Sequence, residues 1–478
     1  MIHFGTDGWR AVIADTFTFE NVRRVAQAVA NWIHKNHSGD DAPSMVVGYD
    51  TRFLSDRFAM DVSRVLAANG ITVWLTRTDA PTPAISYNVK ELGASAGIVI
   101  TASHNPPRYN GFKIKSRFGS SASPDDCNQI EQELVKMARK GNVVNAMDYQ
   151  EALDRELIRR FDPSWVYYQH LTTIVDLDKI SEGELNVVAD AMWGSGRNSF
   201  TSLLARTRCN ITGIRDALNP GFGGIHPEPM LHYLSELVAT VQQLRADVGL
   251  ATDGDADRIG AIDGLGNYVD PHHIFALTLR HLAESKGQRG DVVKTVSTTF
   301  MIDALASKYG LKVHETPVGF NHIADLMISN DVLIGGEESG GISVRGHIPE
   351  GDGILMGLLL LEVMAHAHAP LHEIIADLQA NFGPAHYDRN DVRLARRVPK
   401  DEMVKMLADS APPTINGETV ARVDTLDGVK YYLADRSWLL IRPSGTESVL
   451  RIYAEAHSAE AVKAMLQTGG ELGSKVIG

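Results

Sequence analysis

Four short loops in this 478-residue chain carry side chains capable of chemistry. Residues 252–258 read Thr-Asp-Gly-Asp-Ala-Asp-Arg, which sets Asp253, Asp255 and Asp257 at alternate positions beside Arg258. Three carboxylates so close repel one another unless a cation sits among them. A hard divalent ion such as Mg²⁺ takes oxygen ligands and keeps room for a phosphate. A Ca²⁺ helix-loop-helix would need glycine at its sixth position and glutamate at its twelfth. Arg258 and Gly264 stand there, so that motif is absent. The rival is a solvated acidic turn between strands.

Residues 99–106 read Val-Ile-Thr-Ala-Ser-His-Asn-Pro. An apolar strand ends at Ser103, His104 and Asn105 and is halted by proline. Ser103 could be a nucleophile or the carrier of a transferred group, and alone it reads as a turn. A hydrolase elbow is excluded, because Thr101 and Asn105 occupy its two glycine places. Gly336-Glu337-Glu338-Ser339-Gly340 follows another apolar strand. There Glu337 and Ser339 could take neighbouring sugar hydroxyls, or the segment is a glycine-rich hairpin with solvated acids. Arg442-Pro443-Ser444-Gly445-Thr446-Glu447 joins an arginine fork to two hydroxyls, a phosphate clamp or an ordinary hairpin turn. There is no nucleotide-triphosphate loop. Gly194-Ser195-Gly196 has Ser199 where a dinucleotide fingerprint needs its third glycine, so it reads as a turn.

The elements that must position these loops alternate between strand and helix. Residues 45–49, 71–75 and 97–101 read as buried strands, and 57–69 has helical spacing stopped by Gly70. The rhythm returns at 185–190, 247–252 and 332–336, which predicts repeated α/β units with largely parallel sheets. After Pro384 the pattern becomes strands at 438–442 and 449–453 and a last helix from Ser458, a small α+β unit. Boundaries are placed near 141–149, 262–267 and 382–386.

Composition bounds the function. The chain is 44% apolar and 22% charged, ordinary for a globular enzyme. Its 46 basic and 59 acidic side chains give a net charge of −13, which disfavours nucleic acid. Local arginines can still hold an anionic substrate. Cys127 and Cys209 lie in no metal or redox spacing. The apolar run 354–361 is too short to span a bilayer, and the first residues do not read as a signal peptide. A cytoplasmic enzyme with no membrane partner is expected. The sequence carries no sign of the oligomeric state.

Taken in order, the four loops resemble those of the α-D-phosphohexomutase superfamily, the phosphoglucomutases and phosphomannomutases. The resemblance begins at Phe4-Gly5-Thr6-Asp7-Gly8-Trp9-Arg10 and runs through the serine, aspartate and sugar loops to Arg442. It implies an α/β fold of three related mixed units plus a smaller α+β unit around one cleft. The units are expected at 1–160, 161–265, 266–383 and 384–478, each bearing one loop. It further implies an isomerase, an intramolecular phosphotransferase that interconverts hexose 1- and 6-phosphates. A hexose 1,6-bisphosphate would serve as activator and intermediate.

By the same resemblance Ser103 is the phosphorylated serine. Asp253, Asp255 and Asp257 bind Mg²⁺, and Ser103 completes the site. Arg10, Lys113 and Arg258 surround the reacting phosphoryl group. Glu337 and Ser339 contact sugar hydroxyls, and Gly319 lies in a sugar-orientation loop at 316–322. Arg442, Ser444, Gly445 and Thr446 clamp the distant phosphate. Three aspartates, Mg²⁺ and a phosphoserine sum to roughly −3, so transfer needs those fixed cations. The sugar hydroxyl also needs a base. His104 and Lys113 both stand near, and Lys113 is preferred provided its pKa is lowered. The chain departs from its relatives in four places. Gly341 replaces a histidine of dual-specificity members, Glu338 a glutamine of the phosphoglucosamine branch, Asn321 a common lysine and Ser448 a proline. Glu-Glu-Ser points to glucose phosphates, with mannose or glucosamine phosphates as alternatives. A metal-dependent sugar-phosphate phosphatase and a non-catalytic sugar-phosphate binder are the rivals from other classes.

Overall fold

Runs of branched apolar residues become the central strands, and all five residues of Ala96–Ile100, Val248–Thr252 and Val332–Gly336 are buried. Strands covered on both faces need such continuous apolar character. The computed structural model describes residues 2–37, 39, 41–393, 399–443 and 449–477.

The first sheet has the order Trp9–Val12, Tyr109–Lys115, Ala96–Ile100, Ser44–Tyr49, Thr72–Thr76, Ile158–Phe161. Its last strand ends one residue past the expected boundary at 160. The second sheet is Tyr268–Val269, Ile259–Asp263, Val248–Thr252, Asn186–Asp190, Asn210–Ile214. The third is Val313–Thr316, Asp291–Thr295, Val332–Gly336, Ile342–Val344.

All three share one plan. A buried strand pairs in parallel with its inner neighbour, then the chain turns and returns antiparallel. The turns are the serine loop, the aspartate loop and the sugar loop. Each thus leaves the carboxyl end of a parallel strand, where α/β sheets bind ligands. The fourth sheet is wholly antiparallel, and its Trp438–Pro443 and Val449–Ala456 strands flank the clamp segment. The expected three related α/β units and smaller α+β unit are therefore present.

The helix Gly353–Ala367 is apolar all round over its first turns, and residues 353–365 are all buried, Glu362 being paired with His281 and Lys286. It packs into a core shared by the second and third units, which contains Phe200, Leu250, Phe275, Leu355 and Leu359 and reaches Trp438 and Tyr453. The apolar run at 354–361 is thus a core helix. Asp352 caps it, accepting from the Ile354 and Leu355 amides at 2.9 Å. Among the described residues no single helix is long and apolar enough to cross a membrane.

Candidate active site

The serine loop is held from behind by a buried ion pair. Arg52 uses all five of its N–H donors. Its Nε donates to Asp50 Oδ2 at 3.0 Å, Nη1 to the carbonyls of Pro106 and Tyr109 at 3.0 and 3.1 Å, and Nη2 to those of Ser103 and Asn105 at 2.5 and 2.7 Å. Asp50 accepts from Thr101 Oγ1 at 2.6 Å, and Thr101 Oγ1 accepts from the Ser103 amide at 2.8 Å. This scaffold holds Ser103 at φ 51°, a left-handed conformation that costs a serine energy. Burial pushes the Asp50 carboxyl up to about 6 in spite of Arg52. The sequence reading missed both residues. Their only local signal is a pair of opposite charges directly after the buried strand Ser44–Tyr49.

The aspartate loop comes to meet that serine. Ser103 Oγ donates to Asp253 Oδ2 at 2.8 Å and lies 3.3 Å from His104 Nδ1. A Cβ on Gly254 would collide with the Ser103 carbonyl, so this approach requires glycine. Gly194-Ser195-Gly196, read from sequence as a plain turn, is a turn that buttresses the loop: the Ser195 amide donates to the Gly254 carbonyl at 3.0 Å. From the first unit, Thr82 Oγ1 donates to Asp255 Oδ2 at 2.7 Å.

Lys113 Nζ lies 2.7 Å from Asp7 Oδ2 and 2.8 Å from both Asp255 Oδ2 and Asp257 Oδ2. Burial disfavours its charge, but Asp255, Asp257 and Asp7 outweigh that and hold its pKa well above the usual lysine value. Three carboxylates thus clasp Lys113 Nζ, the opposite of the surroundings that would lower its pKa for the base role expected of it. Burial, then Arg258, Arg10 and Lys113, hold His104 well below the ordinary imidazole value. Arg10 donates to Asn105 Oδ1 at 2.8 Å and faces Asp7 at 3.3 Å. Arg258 lies 3.6 Å from Glu228 and 3.9 Å from Asp257.

The three aspartates fit a divalent cation. One carboxylate oxygen from each lies within 4.8 Å of the others. Oδ1 of Asp255 and Oδ1 of Asp257 are buried without a hydrogen-bond partner. Burial and the charges of Asp257 and Asp255 raise the Asp253 pKa well above normal. Buried carboxylate oxygens left without a partner in such a cluster are what a hard cation relieves.

The sugar loop forms a second group. Glu337 Oε1 accepts from the Gly319 amide at 2.9 Å, and Ser339 Oγ lies 3.4 Å from Glu337 Oε2. Burial and Glu338 push the Glu337 carboxyl up to about 8. Glu338 accepts from Ser297 Oγ at 2.6 Å. The third unit sits against the aspartate loop backbone to backbone: the Gly353 amide donates to the Ala256 carbonyl at 3.0 Å, and a Cβ on Gly353 would strike the Arg258 carbonyl. Arg442 belongs to a third group, its Nε donating to Asp427 Oδ2 at 2.7 Å. Ser444, Gly445 and Thr446 lie outside the described residues.

Comparison with known proteins covers this whole arrangement. The three α/β/α domains I, II and III of phosphoglucomutase/phosphomannomutase match residues 1–140, 166–266 and 270–382, and the C-terminal domain matches 394–468. A probable phosphoglucosamine mutase of Pyrococcus horikoshii is 31% identical over 99% of this chain and 98% of its own. A phosphoglucomutase/phosphomannomutase of Thermococcus kodakarensis is 30% identical over 98% of each chain. Among solved structures, a Thermus thermophilus protein described as a candidate phosphomannomutase shares 34% identity and a TM-score of 0.85 over 98% of each chain.

Proposed function

Because the chain belongs to the phosphoglucomutase/phosphomannomutase family of Mg²⁺-dependent intramolecular phosphotransferases, we propose that it interconverts glucose 1-phosphate and glucose 6-phosphate through phosphorylated Ser103. The observation that carries this reading is Ser103 Oγ at 2.8 Å from Asp253 within the aspartate cluster. A phosphate carried there would lie beside the cation that the aspartates would hold.

In the first half-reaction the bond from phosphorus to Ser103 Oγ breaks and one to a sugar hydroxyl oxygen forms. The hydroxyl proton passes to a base, for which His104 on the serine loop and Lys113 on the strand that follows it are the candidates. The resulting 1,6-bisphosphate turns over in the cleft and returns its other phosphate to Ser103. Asp253, Asp255 and Asp257 would hold the Mg²⁺, which when bound neutralises charge on the transferring group. Arg10 and Arg258 supply fixed positive charge, and Lys113 offsets the aspartates. Glu337, Ser339 and Gly319 would grip the sugar. Arg442 with Ser444, Gly445 and Thr446 would grip the distant phosphate. On this reading the units at 1–160, 161–265, 266–383 and 384–478 each contribute one loop.

Glucose is supported by Glu337-Glu338-Ser339 and by Gly341. Glucosamine phosphate is the second reading, supported by the name of the Pyrococcus relative. Parallel kcat/KM measurements on glucose, mannose and glucosamine phosphates, with the 1,6-bisphosphate added, test the choice. Glucose phosphate should be turned over fastest, and faster turnover of either other sugar overturns the assignment. Free phosphate appearing faster than isomerised sugar would instead indicate a phosphatase.

A further inference from the structure

The sugar-orientation loop and the clamp meet at one buried carboxylate that neither the loop motifs nor the reaction requires. Asp427 is 6% exposed and stands on the turn between the strands Glu418–Asp424 and Val429–Leu433. Its Oδ2 accepts from Arg442 Nε at 2.7 Å and from the Val318 amide of the third unit at 3.0 Å. Its Oδ1 accepts from Lys400 Nζ at 2.6 Å. The next amide along, that of Gly319, donates to Glu337 at 2.9 Å. Two consecutive N–H groups thus join two carboxylates. One carboxylate aims the arginine of the clamp, and the other belongs to the sugar grip.

We propose that Asp427 is a positioning residue that couples the clamp of the fourth unit to the sugar loop of the third, so that the distant phosphate and the sugar ring are gripped together. The proposal rests on the mutase reading for its kinetic consequence. A guanidinium held at Nε presents its two terminal nitrogens as a fixed fork, the geometry that suits a phosphate. The same oxygen holds Val318, so a shift of the fourth unit that moves Arg442 also pulls on 318–319. Further contacts join the two units: Lys430 Nζ donates at 2.8 Å to Glu315, just before the 316–322 loop, and Glu455 accepts from the Phe300 amide at 2.8 Å. These attach the fourth unit without touching Val318 or Arg442. Charge reinforces the geometry. Burial raises the Asp427 carboxyl, yet Arg442 and Lys400 bring it below the usual range and keep it ionised at neutral pH. For a mutase the coupling has a purpose, since the bisphosphate must give up both grips to turn and be taken by both again before it leaves the cleft.

The test combines amide hydrogen exchange with kinetics on Asp427→Ala and Asp427→Asn. In Asp427→Ala the Val318 amide should exchange roughly tenfold faster, as expected for the loss of one charge-assisted hydrogen bond. Asp427→Asn keeps an acceptor oxygen and should retain most of that protection. In the kinetic arm, Asp427→Ala should raise KM by more than it lowers kcat and release a larger share of 1,6-bisphosphate into solution. Asp427→Asn should lie between it and the wild type. A purely structural role would lower the amount of folded enzyme without changing KM or bisphosphate release. Unchanged Val318 exchange, or wild-type KM with wild-type bisphosphate release, overturns the proposal. If Asp427→Ala does not fold, the near-isosteric Asp427→Asn carries both arms. If the wild type interconverts no hexose phosphates, the mutase reading fails while the exchange arm still decides on Asp427.

Discussion

Arg52→Lys is the substitution most revealing of how this site is built. It keeps a positive charge beside Asp50 but replaces a planar fork by a point. Arginine offers five donors and lysine three from a single nitrogen. All five are used here, on one carboxylate and four carbonyls of the serine loop. At least two of those acceptors must therefore lose their partner in the lysine variant. Each buried unsatisfied group costs about 1–3 kcal/mol, so the first unit should lose roughly 2–6 kcal/mol. The loop they hold carries Ser103, and a displacement of about 1 Å is enough to cost on the order of 10²-fold in rate. Calorimetric unfolding and mutase kcat/KM, measured on the same preparation, read the two effects. A variant within about 1 kcal/mol of the wild type that keeps half its activity would refute the claim that Arg52 positions the loop.

Three further outcomes are expected. Ser103→Ala should lose at least about 10³-fold in mutase rate while keeping its fold, because Oγ makes two hydrogen bonds, to Asp253 and to the adjacent His104; circular dichroism checks the fold, and appreciable turnover counts against the phosphoserine. Mg²⁺ at about 100 times its Kd should stabilise the wild type by roughly 2–3 kcal/mol, and Asp257→Asn should lose that gain; a melting temperature and an activity indifferent to chelation would remove the metal from the reading. Glu337 has its folded pKa raised from 4.5 to about 8, so the native state holds a proton that the unfolded state has lost, and its contribution makes stability fall as pH rises through that window. Glu337→Gln should therefore gain stability over the wild type as pH rises while losing sugar affinity; parallel melting curves that keep a constant gap across the window contradict this.

Much of the chemistry was legible in the chain because it is local. Alternate aspartates on a tight loop, a serine at a strand end and an arginine before a glycine turn are readable from spacing. The alternation of elements and the all-round apolar run at 354–361 likewise follow from neighbours in sequence. The recurrence of one turn, from a parallel to an antiparallel strand, was visible only as a rhythm. Strand direction is set by pairing partners far along the chain, and hydrophobic pattern alone does not carry it.

What stayed hidden depends on partners brought from afar. Asp50 and Arg52 look like surface charges until the serine loop folds over them. Glu338 reads like its neighbour Glu337, yet Ser297, 41 positions away, donates to one of its oxygens at 2.6 Å. Lys113 is the plainest case. The chain alone puts a lysine near the serine loop and leaves its chemistry there open. Asp255 and Asp257, more than 140 positions along, each take its Nζ at 2.8 Å and so favour its charged form. A residue's type is set by the chain, whereas its charge state and its aim are set by which opposite charges share its low-dielectric surroundings. Those surroundings come into being when loops from separate units are folded against one another.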